Sequence, residues 1–452
     1  MNRAAIGIAV AFVLLLLSCD RTAATPAFAR KYKTSCMTCH TGFPKLNAFG
    51  DAFRRNGYQF PAGTDPDFIK EEPVSLGSEG NKKAFPDAVW PGSIPGSSPV
   101  SLFLNGEADY NPKVDPRFTF GGLGSSIEAV AAGTAGEDVS FWGHFILNSD
   151  GTAELNRIFI IFSNLVGDTY ALNMRVGVFE PGLFSFSTHR AWLEGYWLTT
   201  RPFSNDMGWT IEETQKGIEL NGIINGRFTW SAGIVESFGN PHADKDYYGH
   251  VAYKFGGLPP SGVVEPGAAP NNSQPFIDNS LTIGAFAYAG SASLGPASMA
   301  ADNKFTMIGG DFNAYYDRFN LFGGLGVRHD GQPFIVNDSA AADFGLVATG
   351  LSANTTVWFA ELDYVVFPWL LPGIRYESWS SQTPDIGGAG LAVVSYSEQQ
   401  IVPGVVFLIR PNVKATLRAS FAGKGAVSYT GGALPSVSLQ PGTVSLALAL
   451  GI

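Results

Sequence analysis

Cys36, Cys39 and His40 stand in the order C-x-x-C-H. Two thiols at that spacing can reach both vinyl groups of a porphyrin, and the imidazole that follows at once can ligate the iron from beneath. The chemistry they predict is covalent attachment of one c-type haem (heme c), with His40 as the proximal ligand of its iron. The same triplet could begin a zinc half-site, but no second Cys/His pair follows at zinc-finger spacing. The whole chain has 3 cysteines, so a disulfide framework or a Cys-rich metal site is excluded.

An iron atom held on one side leaves its other side open to a second ligand, most often His or Met. Between His40 and His144 the chain has neither. The candidates are His144, His250 and His189 first, then His242, His329, Met174, Met207, Met299 and Met307, with water, Lys45 or Tyr58 as alternatives. A period-two reading turns His144 and His250 inward and Met174 outward, and sets His189, His242, His250 and His329 in outer loops or near outer strand ends.

The elements that must position these residues begin with an export signal, residues 1–24. Arg3 gives it a basic start, Ala4 to Leu17 an apolar stretch too short for a comfortable membrane span, and small residues follow. Leu16-Leu17-Ser18-Cys19 also fits a lipoprotein signal, in which Cys19 would be acylated. Residues 25–99 form the haem segment and its connector. Pro44 suits a first helical turn, Leu46, Phe49 and Phe53 recur at helical spacing, Arg54 and Arg55 fall in the last turn, and Gly57 can close the helix. Its aromatic face packs either on a small protein core or on a haem edge, with Arg54 or Arg55 near a propionate in the second case. Residues 61–99, rich in Pro, Gly and Ser, read as an irregular connector or plug strap.

From Ser101 onward the period is two. Leu102, Leu104, Gly106, Ala108 and Tyr110 alternate with Ser101, Asn105, Glu107 and Asp109, and Val413 to Phe421 alternate in the same way against Lys414, Thr416, Arg418 and Ser420. Residues 172–179, 227–236, 250–255, 356–366 and 445–452 repeat the pattern. The fold class predicted is all-β: a transmembrane antiparallel β-barrel of about 16 strands over residues 100–452, with a small N-terminal α-helical monohaem cytochrome c segment. Charged residues make up only 15% of the chain, which suits an apolar outer surface. Connector lengths agree: the turns at 317–318, 410–412, 224–226 and 367–372 are short and fall on one side. The segments 180–208, 329–353, 381–396 and 423–441 are long and fall on the other. Residues 257–280 break the rule, being long on the short side. Glu107, Asp109, Arg175, Lys254, Glu361, Asp363, Arg375, Glu377, Lys414 and Arg418 are expected in the lumen, as a salt-bridged interior.

Pro26-Ala27-Phe28-Ala29-Arg30, C-x-x-C-H, Pro44, Leu46-Asn47, Phe49-Gly50, Phe53 and Gly57-Tyr58 together resemble the start of fused monohaem cytochrome–porins, a family that includes outer-membrane iron oxidases. The resemblance covers about the first sixty residues, and departs where Arg30-Lys31-Tyr32-Lys33 replaces the Arg-Gln-Thr-Gly typical of the iron oxidases. It implies a one-haem cytochrome joined to a bacterial outer-membrane barrel, with the haem segment periplasmic or inside the lumen. It also implies electron transfer between an extracellular donor or acceptor, iron among the candidates, and a periplasmic redox partner, most simply another cytochrome. The alternative is a diffusion porin with a redox-active, haem-bearing plug; an enzymatic role as a peroxidase would need an open iron site. The net charge of −10 argues against nucleic acid as a partner, leaving outer-membrane lipid and redox proteins. A chain in which Cys36 and Cys39 are both changed to Ala is expected to lose all haem stain on a denaturing gel, and stain that persists would refute the attachment site.

Overall fold

The computed structural model describes residues 27–451 except 71, 73, 76, 89–92, 95–97, 122–125, 137, 149–150, 202, 204–208, 212–213, 238–243, 264–274, 295–300, 338–345, 349, 385–392 and 424–441. The export signal, Cys19, His242, Met207 and Met299 therefore lie outside the described residues, as do most of the expected outer loops 381–396 and 423–441.

Sixteen antiparallel strands close into a barrel. They are β1 (Val100–Tyr110), β2 (Phe118–Gly121, resuming at Ser126–Thr134), β3 (Val139–Asn148), β4 (Ala153–Phe162), β5 (Asn173–Phe179), β6 (Gln215–Ile224), β7 (Phe228–Glu236) and β8 (Lys245–Gly256). There follow β9 (Ser280–Leu294), β10 (Ala301–Tyr316), β11 (Phe319–Asp330), β12 (Ala353–Tyr364), β13 (Leu370–Pro384), β14 (Val393–Arg410), β15 (Val413–Ala419, continued by Phe421–Ala422) and β16 (Val444–Gly451). Each strand pairs with its sequence neighbour, and β16 pairs with β1 from Val444↔Tyr110 to Gly451↔Phe103, which closes the ring.

The alternation read from the sequence sets the two faces. Leu102, Leu104, Ile127, Ile283, Ile308, Leu325, Leu417 and Leu446 stand exposed on the outside, while the intervening residues turn into the lumen. Exposed aromatics gather toward both rims: Tyr110, Phe118, Phe120 and Phe421 at one end, Phe255, Tyr316, Phe319, Phe367 and Trp369 at the other. An apolar outer band with aromatic rows at both edges is the surface of a barrel that crosses a lipid bilayer.

Connections of 2 residues join β10 to β11 and β14 to β15 at one rim, and 3 residues join β6 to β7 there. The long connections open at the opposite rim. The connection at 257–279 is long at this rim, and its described part meets the N-terminal segment, where Asn56 Nδ2 donates to Ser261 O at 2.9 Å.

The connection from β5 to β6 opens at the long-loop rim, as expected for 180–208, but its described residues turn inward and fill the lumen, carrying a 3-10 turn (Thr188–Arg190) and a one-turn helix (Trp197–Thr200). Leu183, Leu193, Tyr196 and Leu198 are fully buried there. A segment with Phe184, Phe186, Trp192, Tyr196, Trp197, Phe203 and Trp209 is too apolar to stay in water, so burial inside the barrel is its stable place.

Leu417 lies mid-strand on β15 and faces outward, beside inward Arg418. Leu417→Arg puts a charge against lipid and is expected to cost about 2 to 4 kcal/mol. The drop in urea midpoint of the bilayer-embedded protein measures it, and an unchanged midpoint would place residue 417 in the lumen.

Candidate functional site

The N-terminal segment is a plug. Helix α1 (Ala27–Tyr32) docks at the start of β1, where Ala27 N–H donates to Ser101 Oγ at 2.8 Å, and Lys31 Nζ reaches Thr134 Oγ1 at the end of β2. Helix α2 (Ala48–Arg55) starts at Asn47, whose side chain accepts from Gly50 N–H at 2.8 Å. Pro44 thus precedes the helix rather than opening it, because Asn47 is the better cap. Gly57, at φ +66, ends it as expected. Phe49 and Phe53 join Phe28, Tyr32, Tyr58 and Phe60 in an aromatic cluster that also meets Trp142 and Ile161 of the wall. The aromatic face therefore packs on a small protein core.

Cys36, Met37 and Thr38 form a 3-10 turn, and the turn is buttressed by Asn47, whose Nδ2 donates to Met37 O and Thr38 O at 3.2 and 3.0 Å. Gly50 backs onto it so closely that a Cβ would lie 2.0 Å from the Cys39 carbonyl oxygen. His40 Nδ1 lies 3.1 Å from Pro44 O. A carbonyl only accepts, so this bond requires the proton on Nδ1 and leaves the Nε2 lone pair free, the arrangement a metal-bound histidine needs. Burial lowers the His40 pKa to about 4; the Pro44 bond opposes this and Arg190 adds to it, so the ring is neutral at pH 7. Burial also pushes the Cys39 thiol up to about 12, with Cys36 adding to the shift, and raises Cys36 as well. Among the described residues no three His, Cys, Asp or Glu side chains converge as ion ligands, Cys36, Cys39 and His40 included. The donor set fits a haem.

The structure brings two of the three foremost distal candidates to the same side of the lumen. His40 meets Phe43 edge to face, and Phe43 stacks on Phe103 of β1. Phe103 pairs with Glu128 of β2, which binds His144 Nε2 at 3.0 Å. His144 pairs with Arg157 of β4, whose Nη2 lies 2.6 Å from His189 Nε2. His189 therefore sits inside, on the inward loop, not in an outer one. His250 is on another wall, buried mid-strand in β8 rather than near an outer end, with Nε2 2.8 Å from Asp311 Oδ1. His329 points outward and is exposed, Met174 also faces outward, and Met307 is buried among lumen aromatics.

The ten charges expected in the lumen all face it, and most are paired. Arg418 meets Glu107 at 2.6 Å, Arg175 meets Glu219 at 2.7 Å, Lys254 meets Asp278 at 2.7 Å, and Arg375 lies 3.5 and 3.3 Å from Glu361 and Glu377. Asp109 accepts from Ser445, and Lys414 lies 3.8 Å from Glu194. Several of these carboxylates grip the inward loop: Tyr196 Oη donates to Glu361 at 2.9 Å, Trp197 N–H to Glu377 at 2.7 Å, and Arg201 makes a bidentate pair with Glu398. The plug and the inward loop also hold each other, through Trp192 Nε1 donating to Gly42 O at 3.2 Å and Arg55 Nη2 to Ser185 O at 3.1 Å. Lys45 of the plug pairs with Asp363 of β12 and lies over the rings of Trp192 and Phe322 at 5.0 and 4.3 Å. Above the plug, Trp209, Tyr288, Phe305, Met307, Trp379 and the loop aromatics make one continuous apolar core across the lumen. Sequence reasoning missed this core; the aromatic density of 180–214 was its only signal.

No family model and no curated protein matches the sequence. Solved structures do match, and they define the class of fold as the 16-strand porin barrel. An anion-selective porin from Comamonas acidovorans is similar at 13% identity and TM-score 0.52, covering 79% of this chain and 100% of its own. The in-vitro folded trimer form of OmpT, an outer-membrane protein of Vibrio cholerae, is similar at 10% identity and TM-score 0.50, covering 79% and 99%.

Lys45→Met would leave Asp363 buried beside Glu361 without its cation, a change that typically costs about 3 to 5 kcal/mol. Amide hydrogen exchange in α2 is expected to accelerate markedly while exchange in the barrel strands does not. Unchanged exchange in α2 would show that this pair does not hold the plug.

Proposed function

We propose that the chain is an outer-membrane barrel of the porin type whose lumen is held shut by its own N-terminal plug, the plug bearing one covalent haem. The observation that carries this reading is the filled lumen: plug below, inward loop and aromatic core above. The short-turn rim, where the plug enters, is then the periplasmic side. The porin fold favours a channel that conducts solute only when the plug shifts.

A second reading, electron transfer, is favoured by one observation, that C-x-x-C-H lies inside a lumen otherwise sealed by packed aromatics. Haem, when bound, supplies one-electron exchange. The chain's own part is to hold it through Cys36, Cys39 and His40, to fix the imidazole through Pro44, and to exclude water with the surrounding rings. The hydrocarbon core of a bilayer is about 30 Å thick, so a single haem cannot touch partners on both faces. A periplasmic redox partner, most simply a cytochrome, would be required, with iron(II) the first extracellular donor to test.

Planar-bilayer conductance of the full chain tests the proposal. The intact protein is expected to be closed, and Lys45→Met to open in steps of porin size. Steady porin-sized conductance by the intact protein would refute the plug, and absence of steps in every plug-latch variant, together with electron exchange across proteoliposomes, would favour the second reading.

A further inference from the structure

Between the plug and the inward loop lies a cavity of about 80 Å³, lined by Arg54, Arg55, Arg190, Arg227 and Lys254, by Lys45, which is already paired with Asp363, and, as the sole carboxylate, by Asp51. At roughly 10 to 15 Å³ per water, that is room for several waters or one small oxyanion. Its cations are unevenly matched. Lys254 is neutralised by Asp278 at 2.7 Å. Asp51 is shared by Arg54 and Arg55, at 2.9 and 2.7 Å, so one charge of that trio is left over. Arg227 bonds only carbonyl oxygens, those of Lys254, Gly256 and Gly257.

Arg190 is the odd member. Its guanidinium has no hydrogen-bond acceptor and no carboxylate within ion-pair distance among the described residues, and it lies 5.8 Å from the ring of Trp142. Arg54 Nε is buried and likewise without an acceptor. Glu180, the nearest acidic influence, is already engaged by Arg157 at 3.8 Å and His189 at 3.1 Å. Burial, with Arg54 and Arg157 acting in the same direction, lowers the Arg190 pKa to about 10. Arg190 is half-buried beside these like charges, an arrangement that favours an anion between them, and planar forks of this kind match carboxylate and phosphate oxygens.

We infer that this cavity is an oxyanion-binding site, with Arg190 its principal donor and Arg54, Arg55 and Arg227 supplying the surrounding charge. The ligand is a phosphate or a carboxylate, and two sources offer that chemistry: a free anion entering the lumen, or the propionates of a haem attached at Cys36 and Cys39. Arg54 and Arg55, which line the cavity, lie on α2 of the same segment that carries Cys36 and Cys39.

The test titrates inorganic phosphate into the full-length protein in detergent at low ionic strength, followed by calorimetry, using the Cys36→Ala, Cys39→Ala chain as the haem-free form. That form is expected to bind phosphate, and Arg190→Gln to weaken binding about tenfold or more, with Arg190→Lys intermediate. Heat-modifiable gel mobility verifies folding; should Arg190→Gln fail to fold, Arg227→Gln serves instead, with a smaller loss expected. If haem-loaded protein no longer takes phosphate, the propionates occupy the site; if it binds as well as the haem-free form, the ligand is a free anion. Should the wild-type chain carry no haem, it serves as the haem-free form and the phosphate result still decides. Absence of phosphate binding to folded haem-free protein, or binding untouched by every arginine variant, overturns the proposal.

Discussion

Closure of the sheet is the constraint from which everything else follows. A strand in lipid cannot leave its peptide groups unpaired, so β16 must meet β1, and Gly451↔Phe103 through Val444↔Tyr110 completes the ring. Once the ring is closed, a period of two decides which residues face hydrocarbon and which face the lumen. A slip of one position would expose Lys414 and Arg418 to lipid, and would bury Leu417 and Leu446 among carboxylates. The register is thereby fixed by energy on both faces at once.

That is why so much of the barrel is legible in the sequence. Strands such as Val100–Tyr110 and Val413–Ala419 carry their facing in the residue order, and the rims separate by connector length. The lumen's contents are far less legible. Lys45 and Asp363 are 318 positions apart, and no local pattern announces that they meet. Residues 180–214 have no period because irregular backbone imposes none; only their aromatic content hints at burial. His250 and His189 were misplaced for related reasons: strand ends are set by pairing across the sheet, and a loop's course by what will cover its rings. The cap at Asn47 was within reach, since Asn is a strong N-cap and Pro44 lies outside the regular helical run. The exception at 257–279 was visible as an anomaly in length, and its described part meets the plug.

The interior is filled in two chemically different ways. The lower half uses charge and hydrogen bonding, through Lys45, Asp51, Asp65 and their partners, with an aromatic cluster between. The upper half is apolar, threaded by the pairs Arg201–Glu398 and Arg328–Asp330, with the Arg328 guanidinium 3.7 Å over Phe305. Paired buried ions contribute little net stability over well-packed apolar residues, yet they penalise every alternative arrangement that separates them. Arg201–Glu398 fixes the inward loop to β14, and Lys45–Asp363 fixes the plug to β12.

The inward loop roofs the plug while the plug's own chain runs on into β1, one side of the closing seam. The plug is therefore tethered to the wall at the seam itself, and the chain between Tyr58 and Val100 sets how far it can withdraw while β1 stays paired with β16.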